Sequence, residues 1–370
     1  MARTAFFSDE RCFWHSADRY AFLAPVGGLV QPLAGPGLPE HPEGKRRLKN
    51  LIEVTGLAAA LDMRSAEPAT DEDLLRVHDR DYIARFKALS DAQGGELGQR
   101  TPFGPGGFEI AALSAGLVKA ALFDVLDGRV RNAYALSRPP GHHCLPATPM
   151  GFCLLANIAI AVEAARAAGK AERVAVVDWD VHHGNGTEAI FLERGDVLTV
   201  SLHQDNNYPP DSGGAEVRGS GAGAGCNINV PLPPGAGHDA YLHAFERIVE
   251  PALRRFRPDC VVVACGFDAS GVDPLSRTLA SAETFGAMTR RLLALCDEIC
   301  DGRLAMAHEG GYAEVHVPFC GHAVIAAMAG SAIEAPDPLG PRLAYQQPRE
   351  RVRQFHRQLI DEMAAFFGTA

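Results

Sequence analysis

The sequence predicts an α/β protein, a single three-layer α/β/α domain around a mainly parallel central sheet. From residue 132 onward, short apolar runs alternate with stretches of helical periodicity, which is typical of a parallel sheet covered on both faces. Hydrophobic residues make up 47% of the 370 residues, enough for a large buried core. Since no linker is recognisable, residues 1–370 are expected to form one domain.

The individual elements follow from length and periodicity. Five apolar runs have the character of buried strands: 133–137, 174–178, 197–203, 260–266 and 304–308. Helices are predicted over 41–60, 71–78, 108–126, 151–168, 239–256 and 281–300, with Thr70 and Asp73 forming a capping box before the second. Residues 25–42 and 94–107 are rich in Gly and Pro and predict two long loops.

Charge and composition exclude several classes of partner. The formal net charge of −10 provides no basic surface for a nucleic-acid backbone. No apolar stretch reaches the roughly 18 residues of a membrane span, and the N-terminus does not resemble a secretory signal. Nine scattered cysteines without a CxxC pair favour free thiols, so we expect a cytoplasmic protein.

Four predicted strand ends are rich in reactive side chains. These are SRPPGHH (137–143), DWDVHHGNG (178–186), CGFDAS (265–270) and HEGGY (308–312). Ligands of open α/β sheets bind outside the carboxyl ends of the strands. The functional site is therefore expected where these four segments meet.

The second segment predicts a metal site. In extended backbone Asp178, Asp180 and His182 would share one face, where a divalent cation would neutralise the two carboxylates. Catalytic zinc usually takes three protein ligands and leaves one position open, and Asp268 could supply the third from a neighbouring strand end. Taken alone, Asp268 could equally be a helix cap. His183 would face the other way and is expected to pack or to form a loop hydrogen bond.

Two further segments carry groups that move protons or stabilise charge. His142 and His143 follow a rigid Pro-Pro-Gly turn, and histidine titrates near neutrality. Asp178 could orient one imidazole and Asn185 the other. Tyr312 follows two glycines that permit close backbone approach, and its hydroxyl could donate to an oxyanion; a turn with a packed Tyr is the alternative.

The motifs RPPGHH, MGFC, DWDVHHGNG, SLHQ, GFDA and EGGY occur here in the order found in histone-deacetylase-like proteins of the arginase/deacetylase superfamily. The resemblance extends from about residue 42 to 330 and is greatest to the bacterial class II histone-deacetylase-like amidohydrolases. It implies a zinc-dependent hydrolase of N-acyl amides such as acetyl-lysine.

The resemblance also implies roles for particular residues. Zinc would be bound by Asp180, His182 and Asp268; His142, paired with Asp178, and His143 would be the general acid/base pair; and Tyr312 would polarise the scissile carbonyl. One potassium ion would be bound by Asp178, Ser201 and main-chain oxygens including that of Leu202, and a second near Phe191, Arg194 and Val197. The substrate-binding residues would be Gly151, whose carbonyl accepts the amide N–H, the tunnel walls Phe152 and Tyr208, Leu275 at the mouth, and Gly310.

Three departures from the family pattern bear on the substrate. Asn185 stands where class I members carry Asp, and Tyr208 where many relatives have Phe. Gln99 aligns near the rim Asp that grips a peptide backbone in many relatives, with Glu96 close by. Recognition of polypeptides is therefore open, as is the choice between zinc and ferrous iron.

Other functions are compatible with the same motifs. A hydrolase of acetylpolyamines or other small acylated metabolites has the same chemistry, although Leu275 offers no carboxylate to a cationic chain. An arginase-like dimanganese enzyme would need more Asp ligands. A non-catalytic acyl-binding protein should have lost the histidine pair or Tyr312, and both are present. A homo-oligomer is expected on family grounds.

Overall fold

The computed structural model describes residues 3–18, 20–21, 24–26, 28–33 and 38–369. Its strands are β1 Thr4–Phe7, β2 Tyr20–Ala21, β3 Ala24–Pro25, β4 Leu61–Arg64, β5 Gly95–Glu96, β6 Pro102–Phe103, β7 Asn132–Ala135, β8 Val174–Asp178, β9 Val197–Gln204, β10 Asn227–Leu232, β11 Cys260–Cys265 and β12 Leu304–His308. Its α-helices are α1 Glu43–Val54, α2 Asp71–Leu75, α3 Arg80–Ala92, α4 Gly107–Leu126, α5 Asn157–Ala167, α6 Asn185–Phe191, α7 His238–Ala244, α8 Glu250–Phe256, α9 Ala282–Ile299, α10 Val317–Ala329, α11 Gly340–Gln346 and α12 Glu350–Phe367.

Eight of these strands form one sheet in the order β10-β9-β8-β11-β12-β7-β1-β4. All seven pairings within this sheet are parallel. The predicted central parallel sheet is therefore confirmed.

The two faces of the sheet bury separate apolar layers. Adjacent residues of β11 alternate, so that Val263 packs into the layer with α1, α9 and α10, and Val262 into the layer with α4 and α5. A sheet buried on both faces needs continuous apolar strands, which explains the uninterrupted runs in the sequence. The three-layer α/β/α fold class is confirmed.

Several predicted boundaries differ from the structure. The helix predicted over 151–168 begins only at Asn157, because residues 151–156 form turns beside the site. The helix predicted over 71–78 ends at Leu75, and that predicted over 41–60 is divided into α1 and a 3₁₀ turn at Leu57–Ala60. The loop predicted over 94–107 contains the short β5–β6 hairpin. Within the loop predicted over 25–42, residues 27 and 34–37 lie outside the described residues.

The strand order explains how the site is assembled. Strands β8, β11, β12 and β7 are consecutive neighbours in the middle of the sheet. Because all four are parallel, their carboxyl ends lie at the same edge, and the four reactive segments of the sequence follow directly from them. Among the described residues, no helix combines the length and apolar character needed to cross a membrane.

Candidate active site and metal centre

The residues that follow β8 and β11 form a compact group of metal-binding side chains. Ligand atoms of Asp180, His182 and Asp268 all lie within 4.8 Å of one another, and all three residues are buried. The Nδ1 atom of His182 is 3.1 Å from Asp180 Oδ1 and 3.1 Å from Asp268 Oδ2. The strand ends at Asp178, so a turn, rather than the predicted extended backbone, brings Asp180 and His182 together.

The chemistry of this group fits a zinc ion. Two carboxylates and one imidazole are ordinary zinc ligands, and three protein ligands leave a position open. Burial, together with the negative charge of Asp180, raises the pKa of Asp268 to about 7. A divalent cation would remove the repulsion between the two carboxylates.

Main-chain donors hold the two carboxylates in place. Val181 N–H donates to Asp268 Oδ1 at 2.8 Å, and Gly310 N–H donates to Asp180 Oδ2 at 2.8 Å. A Cβ atom at Gly310 would lie 2.2 Å from Asp268 Oδ2, so this position requires glycine. Gly310 therefore approaches the carboxylates, and its contact with substrate stays a prediction.

The paired histidines follow β7 and face different partners. Their ring centroids are 3.9 Å apart, and both residues are buried. His142 Nδ1 lies 2.9 Å from Asp178 Oδ2, and His143 Nδ1 lies 2.8 Å from Asn185 Oδ1. The structure thus brings each imidazole to the partner expected for it.

These partners give the two imidazoles opposite electrostatics. Burial alone would lower the pKa of His142, but the carboxylates of Asp180 and Asp178 raise it to about 10. Burial and the positive charges of His142 and His182 hold the pKa of His143 well below its usual range. At neutral pH His143 is therefore the imidazole that is free to accept a proton.

A cavity of about 630 Å³ leads to this group. Three residues of the candidate site line it, namely His143, His182 and Tyr312. Of the five predicted substrate-binding residues, four also line it: Gly151, Phe152, Tyr208 and Leu275. Tyr208 packs edge-on against His143 with ring centroids 5.0 Å apart, and Phe152 likewise against Tyr312 at 5.7 Å. Glu96, Gln99 and Arg100 also line the cavity.

The β5–β6 hairpin fixes the wall of this cavity through its main chain. Gly151 N–H donates to the Gln99 carbonyl at 3.0 Å, and Phe152 N–H donates to the Arg100 carbonyl at 3.1 Å. Gly151 has φ +56°, and a Cβ atom there would lie 2.4 Å from His143 Cδ2. Glycine at 151 lets the wall approach the histidine.

Asp273 is a residue of the site that sequence reasoning missed. Its Oδ2 atom accepts hydrogen bonds from the main-chain N–H groups of Tyr312 at 2.7 Å and Ala313 at 3.1 Å. Its Oδ1 atom accepts one from Leu275 N–H at 2.9 Å. In the sequence, Asp273 and Pro274 are typical of an ordinary turn. Nothing in the sequence therefore indicates that Asp273 bonds both Leu275 and Tyr312.

The predicted ligands of the first potassium ion come from the neighbouring strands β8 and β9. Asp178 and Ser201 are paired in register on β8 and β9, with Leu202 next along the chain. Asp178 and Ser201 border a space of about 10 Å³. In the second predicted set, Arg194 N–H donates to the Phe191 carbonyl at 2.9 Å and Val197 begins β9. His183 does not join the metal group but lies 3.1 Å from Ser212 Oγ.

Comparison with known proteins gives the family. A histone deacetylase domain matches residues 38–328, and the chain belongs to the histone deacetylase family. It is 58% identical to the histone deacetylase-like amidohydrolase of Pseudomonas aeruginosa over 366 residues, covering 99% of this chain and 96% of the relative. It is 36% identical to histone deacetylase 8 of Arabidopsis thaliana over 351 residues, covering 91% and 92%.

A solved structure agrees with these matches. The crystal structure of the HDA15 HD domain superposes with a TM-score of 0.81 at 31% identity, covering 100% of both chains. The resemblance seen in the sequence motifs is confirmed, and with it the expected class of enzyme, an amidohydrolase of the deacetylase type.

Proposed function

We propose that this chain is a zinc-dependent deacetylase that hydrolyses N-acyl amides such as acetyl-lysine to the free amine and acetate. The observation that carries the proposal is the meeting of three groups at the inner end of one cavity. These are the Asp180–His182–Asp268 metal group, the tandem histidines and Tyr312. A non-catalytic acyl-binding protein would not require this combination of groups.

Each side chain has a task that its geometry supports. Zinc bound by Asp180, His182 and Asp268 would supply a Lewis acid and lower the pKa of a water molecule. His143, neutral beside Asn185, accepts the proton of the attacking water. His142, charged beside Asp178, stabilises the transition state and supports proton delivery to the leaving amine. Tyr312 donates its O–H to the oxyanion as it develops.

The cavity defines how an acylated side chain would bind. Phe152 and Tyr208 flank it as walls for an aliphatic chain, with the Gly151 carbonyl as the acceptor for the amide N–H. Gln99 at the rim is uncharged, so it cannot accept hydrogen bonds from a peptide backbone as strongly as a carboxylate does. Small acylated metabolites, including acetylpolyamines, are therefore the second candidate substrates.

Further parts of the proposal concern ions, assembly and location. Potassium would bind at Asp178, Ser201 and Leu202, with a second ion near Phe191, Arg194 and Val197.

A homo-oligomer formed by the single catalytic domain is supported by exposed aromatic side chains on α11 and α12, Tyr345 at 91% and Phe355 at 55% exposure. A cytoplasmic location is supported by the nine cysteines, which are all free thiols.

A substrate panel tests the proposal. Acetylated peptides, acetylpolyamines and small acylated metabolites are ranked by kcat/KM with the wild-type enzyme, Tyr312→Phe and His143→Ala. We expect hydrolysis of at least one class, and a loss of about 100-fold or more in each variant. Unchanged turnover in both variants would show that the mechanism is wrong, and absence of hydrolysis across the panel would refute the deacetylase assignment.

A further inference from the structure

Glu309 is a fully buried carboxyl group directly after β12, three residues before Tyr312. Its Oε2 atom accepts two hydrogen bonds from the segment that follows the neighbouring strand β7. Gly141 N–H donates to it at 2.7 Å and His142 N–H at 3.1 Å. The side chain therefore joins the strand end that carries the tyrosine to the strand end that carries the tandem histidines.

The turn before the histidines offers few main-chain donors. Pro139 and Pro140 have no N–H, so the N–H groups of Gly141 and His142 are the first donors after Arg138. On one side the turn is held through the Pro139 carbonyl, which accepts hydrogen bonds from Ser114 Oγ at 2.8 Å and Asn157 Nδ2 at 3.0 Å. Glu309 holds the other side of the turn, because it accepts the N–H groups of Gly141 and His142.

The second carboxyl oxygen of Glu309 behaves differently. Oε1 is buried and has no hydrogen-bond partner within the described part of the chain. A carboxyl oxygen of Glu309, a ring nitrogen of His142 and the Cys153 thiol lie within 4.8 Å of one another. An unpartnered buried oxygen costs free energy, so a residue that served only to fill this space would be better as an apolar side chain.

We infer that Glu309 is a positioning residue for the acid/base pair, because its carboxyl group fixes the main chain at Gly141 and His142 and thereby the direction of the His142 imidazole. The inference rests on the proposed function of the tandem histidines. Glu309 has no hydrogen bond to the metal group and does not line the cavity, so it acts through His142. Because Glu309 and Tyr312 belong to the same segment after β12, these hydrogen bonds also link the segment of the oxyanion donor to the segment of the tandem histidines.

Two substitutions separate hydrogen bonding from space filling. Glu309→Gln keeps an oxygen that can accept both N–H groups, whereas Glu309→Met has nearly the same length and no strong acceptor. We expect Glu309→Met to lower kcat by about 10- to 100-fold with KM changed less than about twofold. We expect Glu309→Gln to recover most of that loss, and Glu283→Gln, at an exposed position on α9, to leave kcat unchanged.

A double-mutant cycle shows whether the effect passes through His142. Glu309→Met is introduced into His142→Ala, and kcat, bound zinc and thermal unfolding are measured for all four proteins. We expect little further loss of kcat in the His142→Ala background and wild-type zinc content throughout. Equal losses in both backgrounds, full activity of Glu309→Met, or loss of bound metal in that variant would each overturn the inference.

Failure to fold has a defined meaning as well. If Glu309→Met does not fold while Glu309→Gln does, the hydrogen-bond acceptor at this position serves the fold rather than the acid/base pair, and the inference is wrong. If wild type hydrolyses no substrate, or if His142→Ala is fully active, the proposed function itself fails. Those two outcomes are read from proteins that retain Glu309 and are therefore distinguishable from failure of the inference.

Discussion

His143 Nδ1 lies 2.8 Å from Oδ1 of Asn185, an uncharged amide, whereas the adjacent imidazole faces a carboxylate. An amide orients the ring without stabilising its protonated form as a negative charge would. Burial and the positive charges of His142 and His182 hold the pKa of His143 low, and the hydrogen bond to the uncharged amide raises it too little to offset them. His143 therefore stays available as a base.

Replacing that amide tests the role of the base. Asn185→Asp places a negative charge beside His143, which raises the pKa of the imidazole and protonates it up to a higher pH. The acidic limb of the kcat/KM profile should therefore move to higher pH, with lower activity below neutrality. A pH–rate profile of both proteins measures the shift, and an unmoved acidic limb would contradict the assignment of His143.

A methyl group at Gly151 tests the wall of the cavity. Gly151→Ala places a Cβ atom 2.4 Å from His143 Cδ2, so kcat should fall strongly. Gly128→Ala is the matched control, because that glycine also has positive φ (+67°) but no atom within 4 Å of the added Cβ. Both variants should lose about 1 kcal/mol of stability from the left-handed backbone conformation. Gly151→Ala should lose more because of the contact with His143, and it alone should lose activity. Equal activity of the two variants would argue against the close contact.

Asp273 should matter through Tyr312 and Leu275. Asp273→Ala removes the acceptor of three main-chain N–H groups, and we expect kcat/KM to fall by about 10- to 100-fold. Steady-state kinetics in wild-type and Tyr312→Phe backgrounds should show a smaller loss in the second. The same loss in both backgrounds would mean that Asp273 does not act through Tyr312.

The buried ion pair of Glu40 and Arg138 predicts a component of acid stability. Burial would raise the pKa of Glu40, but the charges of Arg138 and Lys45 lower it from 4.5 to about 2. A depressed pKa stabilises the folded state above pH 4.5, and this contribution is lost as the pH falls towards 2. It amounts to about 3 kcal/mol.

Denaturant unfolding of wild type and Glu40→Gln between pH 7 and pH 2 measures this contribution. The stability gap between the two proteins should narrow by about that amount as the pH falls. A gap independent of pH would show that Glu40 keeps an ordinary pKa in the folded protein.

The sequence predicts the middle of the sheet well because burial on both faces demands continuous apolar residues. The bounds of β8 and β12 match the predicted strands 174–178 and 304–308. Strands β4 and β10 form the two edges of the sheet and are interrupted by polar residues, and β1 beside β4 has only four residues. They went unpredicted for that reason.

The same distinction applies to the site. Asp180 and His182 are two residues apart, so their spacing as metal ligands can be recognised in the sequence. Glu309 and Asp273 act on main-chain N–H groups that are 168 and 39 residues away. Such acceptors have no partner side chain to mark them, so only the fold reveals these contacts.

We expect activity to depend on a metal ion held by Asp180, His182 and Asp268. The most direct measurement follows metal content and acetyl-lysine hydrolysis in the same preparation before chelation, after chelation and after addition of zinc, for wild type and Asp268→Asn. We predict stoichiometric metal and activity that are lost together and restored together by zinc in wild type, with neither restored in Asp268→Asn. Hydrolysis that persists at full rate in metal-free protein would contradict the account.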